Sequence, residues 1–314
     1  LPVPSPVIGI VAALVSAALA AGWQVATRAG VTTGGFSTVD LVLFRYGVPA
    51  LVLLPLLLRG GLWPSKAHPW LAVPLLVGGG LPFGLLAVSG AQFAPVAHMG
   101  ALIPGTLPLF ALLLAWLVLG EKLRPPQTAG FLVVGLGIAL IASTSLADVG
   151  FGTLPGDALF VTAAFVWAVF TIALRAADMP PWHASALVAL VSALAALPLW
   201  LAVGTSRLLE ATVAEFLWLA ATQGVLAGLA GFWAFAVAIR HLGAIGAALS
   251  GAMVPVLSAL GGVVFLGEVP GAVVVAGVAL TVLGIVAVTW PRNRGVLPRW
   301  LAAMARRGRP PGGV

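Results

Sequence analysis

An all-α polytopic membrane protein, ten transmembrane helices arranged as two five-helix repeats of inverted topology, is the fold class that three observations in the sequence predict. The 314 residues are 61% hydrophobic and only 7% charged, with a mean hydropathy of +1.15, too apolar for a soluble surface. The apolar residues fall in ten long runs, each near the 20 or so residues that cross a hydrocarbon core of about 30 Å. The second half of the chain also echoes the first at an offset of 147 residues. A transmembrane β-barrel is excluded, because its strands alternate apolar and polar over about ten residues and these runs do not.

Charges and Pro/Gly clusters punctuate the runs and set each span in turn. Span one, 7–28, ends at Arg28; span two, 38–58, stops before Arg59; span three, 69–91, opens at Pro69. Span four, 95–119, opens at Pro95 and is closed by Gly120 and Glu121, and span five, 125–145, opens at Pro125. Span six, 156–175, runs from Gly156-Asp157 to Arg175, and span seven, 183–203, stops before Gly204. Span eight, 213–239, precedes Arg240; span nine, 244–266, is closed by Gly267 and Glu268; span ten, 270–290, opens at Pro270. Ala18-Leu19-Ala20 offers a small-residue cleavage site, but the long apolar run and the repeat make the first segment a span rather than a signal peptide. The connections hold about ten residues at most, too few for a soluble catalytic domain.

Ten spans give two sides, and the basic residues divide unequally between them. Arg59, Lys66, Lys122, Arg124, Arg175, Arg240 and six tail arginines (Arg292, Arg294, Arg299, Arg306, Arg307 and Arg309) share the side of both termini, against Arg28 and Arg207 opposite. The positive-inside rule then expects both termini in the cytoplasm of a multi-pass inner (plasma) membrane protein. The net charge of +7 reflects that tail, which is expected to meet anionic lipid rather than nucleic acid. There is no cysteine, so disulfides, thiolate catalysis and Cys-based metal sites are excluded.

The repeat is read most directly in two stretches. Pro108–Glu121 is PLFALLLAWLVLGE and Pro255–Glu268 is PVLSALGGVVFLGE; at the same offset Gly130 matches Gly277 and Gly137 matches Gly284. The offset pairs span four with nine and five with ten, so each repeat holds five helices, and an odd number inverts the second. The expected units are 1–146, 147–291 and a basic tail at 292–314. Inverted repeats are the signature of secondary transporters.

With its two Leu-Gly-Glu-ended helices, each followed by a Gly-rich one, the chain resembles the drug/metabolite transporter superfamily, EamA type. Trp23 in span one, Phe44-Arg45 in span two, Trp167 in span six and Gly156-Asp157 opening it support the likeness. The resemblance implies ten helices in two homologous halves and export or exchange of small metabolites by alternating access, without naming one.

Arg45 lies inside a span, where an ionised side chain needs a partner or a wet cavity. It is read either as a ligand for a substrate carboxylate or phosphate, or as snorkelling or pairing with Asp40. His98 is the histidine nearest a span interior, and Gln24, Gln92 and Gln223 are the other conspicuous polar side chains. Most tryptophans (Trp63, Trp70, Trp182, Trp200, Trp218, Trp290, Trp300) fit the interfacial belt, leaving Trp23, Trp116, Trp167 and Trp233, of which Trp23, Trp167 and Trp233 are read either as packing or as lining a central cavity. Glu121 and Glu268 are expected to fix helix ends, at a gate if anywhere, and Pro108, Pro255, Gly105 and Gly251 to allow kinking and close contact. No metal constellation, no cofactor motif, no Walker loop and no catalytic set is present, so no enzyme is expected. Asp40, Asp148, Asp157, Asp178, Glu210 and Glu215 all fall near span ends or in loops. The expectation is therefore substrate-driven movement or exchange, with His98 as the fallback proton site. The substrates expected are amino acids or related amphiphiles, handled by a monomer or homodimer. A flippase for lipid-linked substrates or a non-transporting scaffold is the alternative.

Overall fold

The computed structural model describes residues 5–63, 68–119, 125–147, 152–203 and 206–289. Their helices are α1 (Pro6–Thr32), α2 (Thr38–Gly60), α3 (Ala72–Gly79), α4 (Leu81–Phe93), α5 (Val96–Leu119) and α6 (Pro125–Ala147). The second half holds α7 (Leu154–Ala177), α8 (Pro181–Val203), α9 (Val213–Leu219), α10 (Gly231–Ala248), α11 (Met253–Gly261) and α12 (Ala272–Thr289). Among the described residues eight helical stretches are long and apolar enough to cross a membrane, and Ser250–Leu266 and Ala272–Val288 are shorter apolar helices. Together they make ten spans, five per half.

Three spans are irregular. Span three breaks at Gly80 between α3 and α4. There Tyr46 Oη donates to the Gly79 carbonyl at 3.2 Å and also to that of Gly80, while the Leu81 amide donates to Ser192 Oγ at 3.0 Å. A broken helix survives in a bilayer only where protein satisfies the freed backbone in this way. Span eight joins α9 to α10 through π winding over Ala220–Ala230. Span nine ends in π winding over Gly262–Leu266 and a left-handed Gly267, φ 68°. Helix α10 runs on to Ala248, so span nine starts at Leu249–Ala252 rather than at 244.

The α6–α12 pair explains the repeated glycines. A Cβ on Gly137 would stand 2.7 Å from the Gly277 carbonyl oxygen, and one on Gly284 would stand 2.7 Å from the Val134 amide nitrogen. Backbones this close need residues without side chains. Helix ends carry their own signals: Ser37 and Asp40 form a capping box on α2, as do Thr212 and Glu215 on α9.

Hydrogen bonds define the two ends of the bundle. At the near end, where α1 begins, the Ser5 amide donates to His241 Nδ1 at 3.0 Å, and His183 Nε2 bonds the Gly61 carbonyl at 2.6 Å. At the far end, where α1 finishes, Arg28 and Glu268 meet at 2.7 Å. Leu58, Leu132, Val264 and Phe265 are exposed around the girth, as a hydrocarbon solvent requires.

Candidate functional site

A cavity of about 220 Å³ lies between the halves, walled by Ser16, Ala20, Trp23, Gln24, Arg45, Phe83, Pro104, Trp167, Leu226, Ala227 and Val254 among others. A further void of about 90 Å³, lined by Arg45, Pro49, Ser185 and Phe232 among others, extends it from Arg45 toward the near end. Four residues singled out from sequence, Trp23, Gln24, Arg45 and Trp167, thus share one wall.

Arg45 is held by an aromatic box. Its guanidinium carbon lies 4.1 Å from the Trp23 ring centroid, 5.3 Å from that of Phe83 and 5.9 Å from that of Tyr46. Trp167 closes the box, its ring 4.6 Å from Phe83. The side chain is 9% exposed, and its Nε and Nη1 atoms are buried without a hydrogen-bond partner. Ring faces attract a cation but accept no in-plane N–H, so the fork keeps its donors open.

Gln223 adds a third such donor. Its Oε1 accepts from Trp23 Nε1 at 3.0 Å and from Thr27 Oγ1 at 3.3 Å, while Nε2 is buried and unpartnered. Among the described residues, every buried side-chain polar atom without a partner is therefore an N–H donor of Arg45 or Gln223. Both residues touch Trp23. A buried donor left unmade costs about 1–3 kcal/mol, more when charged; Arg45 lines both voids, whereas Gln223 lies behind Trp23 and is not among their lining residues. Opposite, Gln24 Oε1 is taken up by Ser258 Oγ at 2.6 Å.

The other sequence-derived residues sit elsewhere. Asp40 does not pair with Arg45; it is fully buried and accepts from the Ser37 amide, Trp200 Nε1 and Ser206 Oγ. Trp233 faces outward at 62% exposure, because the π winding of 220–230 offsets the register of the helix after it. Gln92 is exposed at the far end and donates to Thr38 Oγ1 at 2.8 Å. His98 lies at the far end too, in a separate cavity of about 290 Å³ with Arg28 and Glu268. Pro255 is buried, and a Cβ on Gly105 would stand 2.6 Å from Thr281, whereas one on Gly251 would meet nothing within 4 Å. Pro108 lies in mid-α5. Glu121, Asp148, Trp290, Trp300 and the tail arginines lie outside the described residues.

Glu268 ties the far end together. Its Oε1 accepts from Arg28 Nε at 2.7 Å and its Oε2 from the Val96 amide at 2.9 Å, capping α5 in the other half. Arg28 Nη1 also donates to the Ala91 and Gln92 carbonyls at 2.7 and 3.1 Å. Spans one, three, four and nine are thus latched. Reading Arg28 only as a loop charge misses this role. The offset of 147 that carries it to Arg175, and Glu268 back to Glu121, is the signal that marks the pair. Asp157, a helix-end charge by its position in the sequence, is 5% exposed and paired with His98. Helix α7 starts inside the bundle, where a Cβ on Gly156 would stand 2.6 Å from Ala94.

The family model for the EamA-like transporter family matches residues 7–143 and 154–290, one match in each half. A solved structure titled only "Crystal structure of protein" superposes with a TM-score of 0.59 at 22% identity, covering 92% of this chain and 98% of that one, a likeness of fold. No curated protein matches significantly.

Proposed function

The chain belongs to the EamA-like transporter family, and on that premise we propose that it is a secondary transporter, an exporter or exchanger, of small metabolites that carry a carboxylate on an apolar body, amino acids first among them. The observation that carries this reading is the pair of orphaned Arg45 donors at the cavity wall. A carboxylate presents two acceptor oxygens in the plane that an arginine fork matches. The aromatic and aliphatic wall then takes the apolar body. A void of about 220 Å³ suits a small metabolite, since drug-sized ligands occupy roughly 300–1,000 Å³.

Both termini are placed in the cytoplasm of a plasma (inner) membrane, from the distribution of lysine and arginine. The near end is then cytoplasmic and the far end external. In this orientation the Arg28–Glu268 latch shuts the external side while space continues from Arg45 inward, the arrangement of a carrier ready to load from the cytosol. Rocking of the halves about the cavity, with the latch opening, gives alternating access. The basic tail meets anionic lipid.

Binding of L-leucine, L-phenylalanine and their amides to the purified chain, by calorimetry, tests the reading. Tighter binding of a free acid than of its amide supports it. Equal binding of acid and amide, or no binding of any amino acid, removes the carboxylate assignment.

A further inference from the structure

The far-end cavity holds a group of ionisable side chains that substrate binding does not use. Behind its wall His98 Nδ1 meets Asp157 Oδ1 at 2.8 Å. The two residues are 4% and 5% exposed. Asp157 Oδ2 accepts from Ser145 Oγ at 2.5 Å, and Ser145 Oγ accepts from Thr153 Oγ1 at 2.8 Å. The carboxylate is thereby fixed, while the imidazole stands between it and a cavity of about 290 Å³.

An ionisable pair is a costly way to join two helices in a bilayer, where neutral side chains serve as well. It is, however, one of the few side-chain devices that can bind and release a single proton. Among the described residues, the charged groups facing the imidazole are Asp157 on α7, Arg28 on α1 and Glu268 at the end of span nine; α12 contributes only Val274.

We infer that His98 and Asp157 form the coupling-proton site of this transporter, loaded from the far-end cavity; the inference rests on the transport reading above. A proton from cavity water adds to the imidazole. Neutral imidazole and carboxylate, net charge −1, become an imidazolium–carboxylate pair of net charge zero, and release reverses the step. Without the proton, the uncompensated negative charge competes with Glu268 for the Arg28 guanidinium that lines the same cavity. With it, Arg28 is left to Glu268 and the far end stays shut. The site also sits on the turn of α5 whose Val96 amide Glu268 caps, so occupancy and latch act on one helix end.

Two measurements test this. The intact chain, labelled with nitrogen-15 histidine in lipid nanodiscs, is titrated by NMR from about pH 5 to about pH 9. Of the four histidines, the His98 imidazole, identified by the loss of its signal in His98→Gln, is expected to gain and lose a proton across this range, and Asp157→Asn to alter that exchange. A His98 ring that keeps one protonation state throughout overturns the inference. In proteoliposomes with L-leucine as probe, a pH gradient is expected to drive wild-type accumulation. The double variant His98→Gln, Asp157→Asn, which leaves no uncompensated charge beside Arg28, should keep leucine counterflow at equal pH, which also certifies its fold, and lose at least about tenfold of the gradient-driven component. If that variant fails to assemble, isosteric Asp157→Asn makes the same comparison. Wild-type counterflow without a response to the gradient overturns the proton site and leaves transport standing. No counterflow of leucine or of any other amino acid the chain binds removes the amino-acid transport reading and this inference with it.

Discussion

Replacing Arg45 by alanine separates a ligand-binding arginine from a structural one. Its Nε and Nη1 are buried and without a partner in the chain, and its gain is the stacking on Trp23 at 4.1 Å. A desolvated cation–π contact contributes about 2 kcal/mol. An unpaired buried charge costs several kcal/mol even after relaxation. Arg45→Ala should therefore leave the empty chain at least as heat-stable as wild type. Binding should respond oppositely, since two charge-assisted hydrogen bonds to a carboxylate contribute about 1.5–3 kcal/mol each. At 1.4 kcal/mol per tenfold, the loss of about 3–6 kcal/mol weakens binding on the order of 10²–10⁴-fold. Calorimetry on wild type and variant, using the amino acid the wild type binds best and its amide, reads this directly. Wild type should prefer the acid and the variant should not discriminate. A variant that binds the acid within threefold of wild type, or a ligand-free variant whose unfolding temperature drops sharply, would make Arg45 a structural residue.

Further substitutions test the surroundings. Gln223→Ala strips Trp23 Nε1 and Thr27 Oγ1 of their shared acceptor, so thermal unfolding should show a loss of about 1–3 kcal/mol; an unchanged midpoint contradicts that bonding. Gly137→Ala puts a methyl 2.7 Å from the Gly277 carbonyl and should cost about 1–3 kcal/mol as α6 and α12 are pushed apart, again read by thermal unfolding. Trp233→Ala, at a lipid-facing position 62% exposed, should leave amino-acid binding within about twofold; a large loss returns Trp233 to the cavity wall.

Much of this architecture is legible in the sequence because the bilayer enforces it. Apolar runs must become helices, and Gly130, Gly137, Gly277 and Gly284 recur because two backbones touch at those places. Arg45 stands out for the same reason, since a charge inside a span needs a reason to be there. What escapes is geometry that periodicity does not encode. Neither π winding nor its register offset is written in hydrophobicity, so Gln223 turns inward and Trp233 outward with no sign in their neighbours. Gly80 breaks span three, yet only the hydroxyls of Tyr46 and Ser192, from two other helices, make that break tolerable. Asp40 and Asp157 look harmless near helix ends, but those ends are roofed by protein, and a burial of that kind depends on packing across both halves.

Under the transport proposal, one cavity between two inverted halves opens to the two sides of the membrane in turn. A chain without native cysteine allows a direct measurement: Ala227→Cys, on the cavity wall, labelled with a membrane-impermeant thiol reagent in right-side-out and inverted vesicles. Labelling should proceed from the cytoplasmic side in the otherwise unchanged chain and shift toward the external side when Glu268→Gln weakens the Arg28 latch, with L-leucine slowing both. Equal labelling from both sides, or a pattern that ignores the latch, would contradict it.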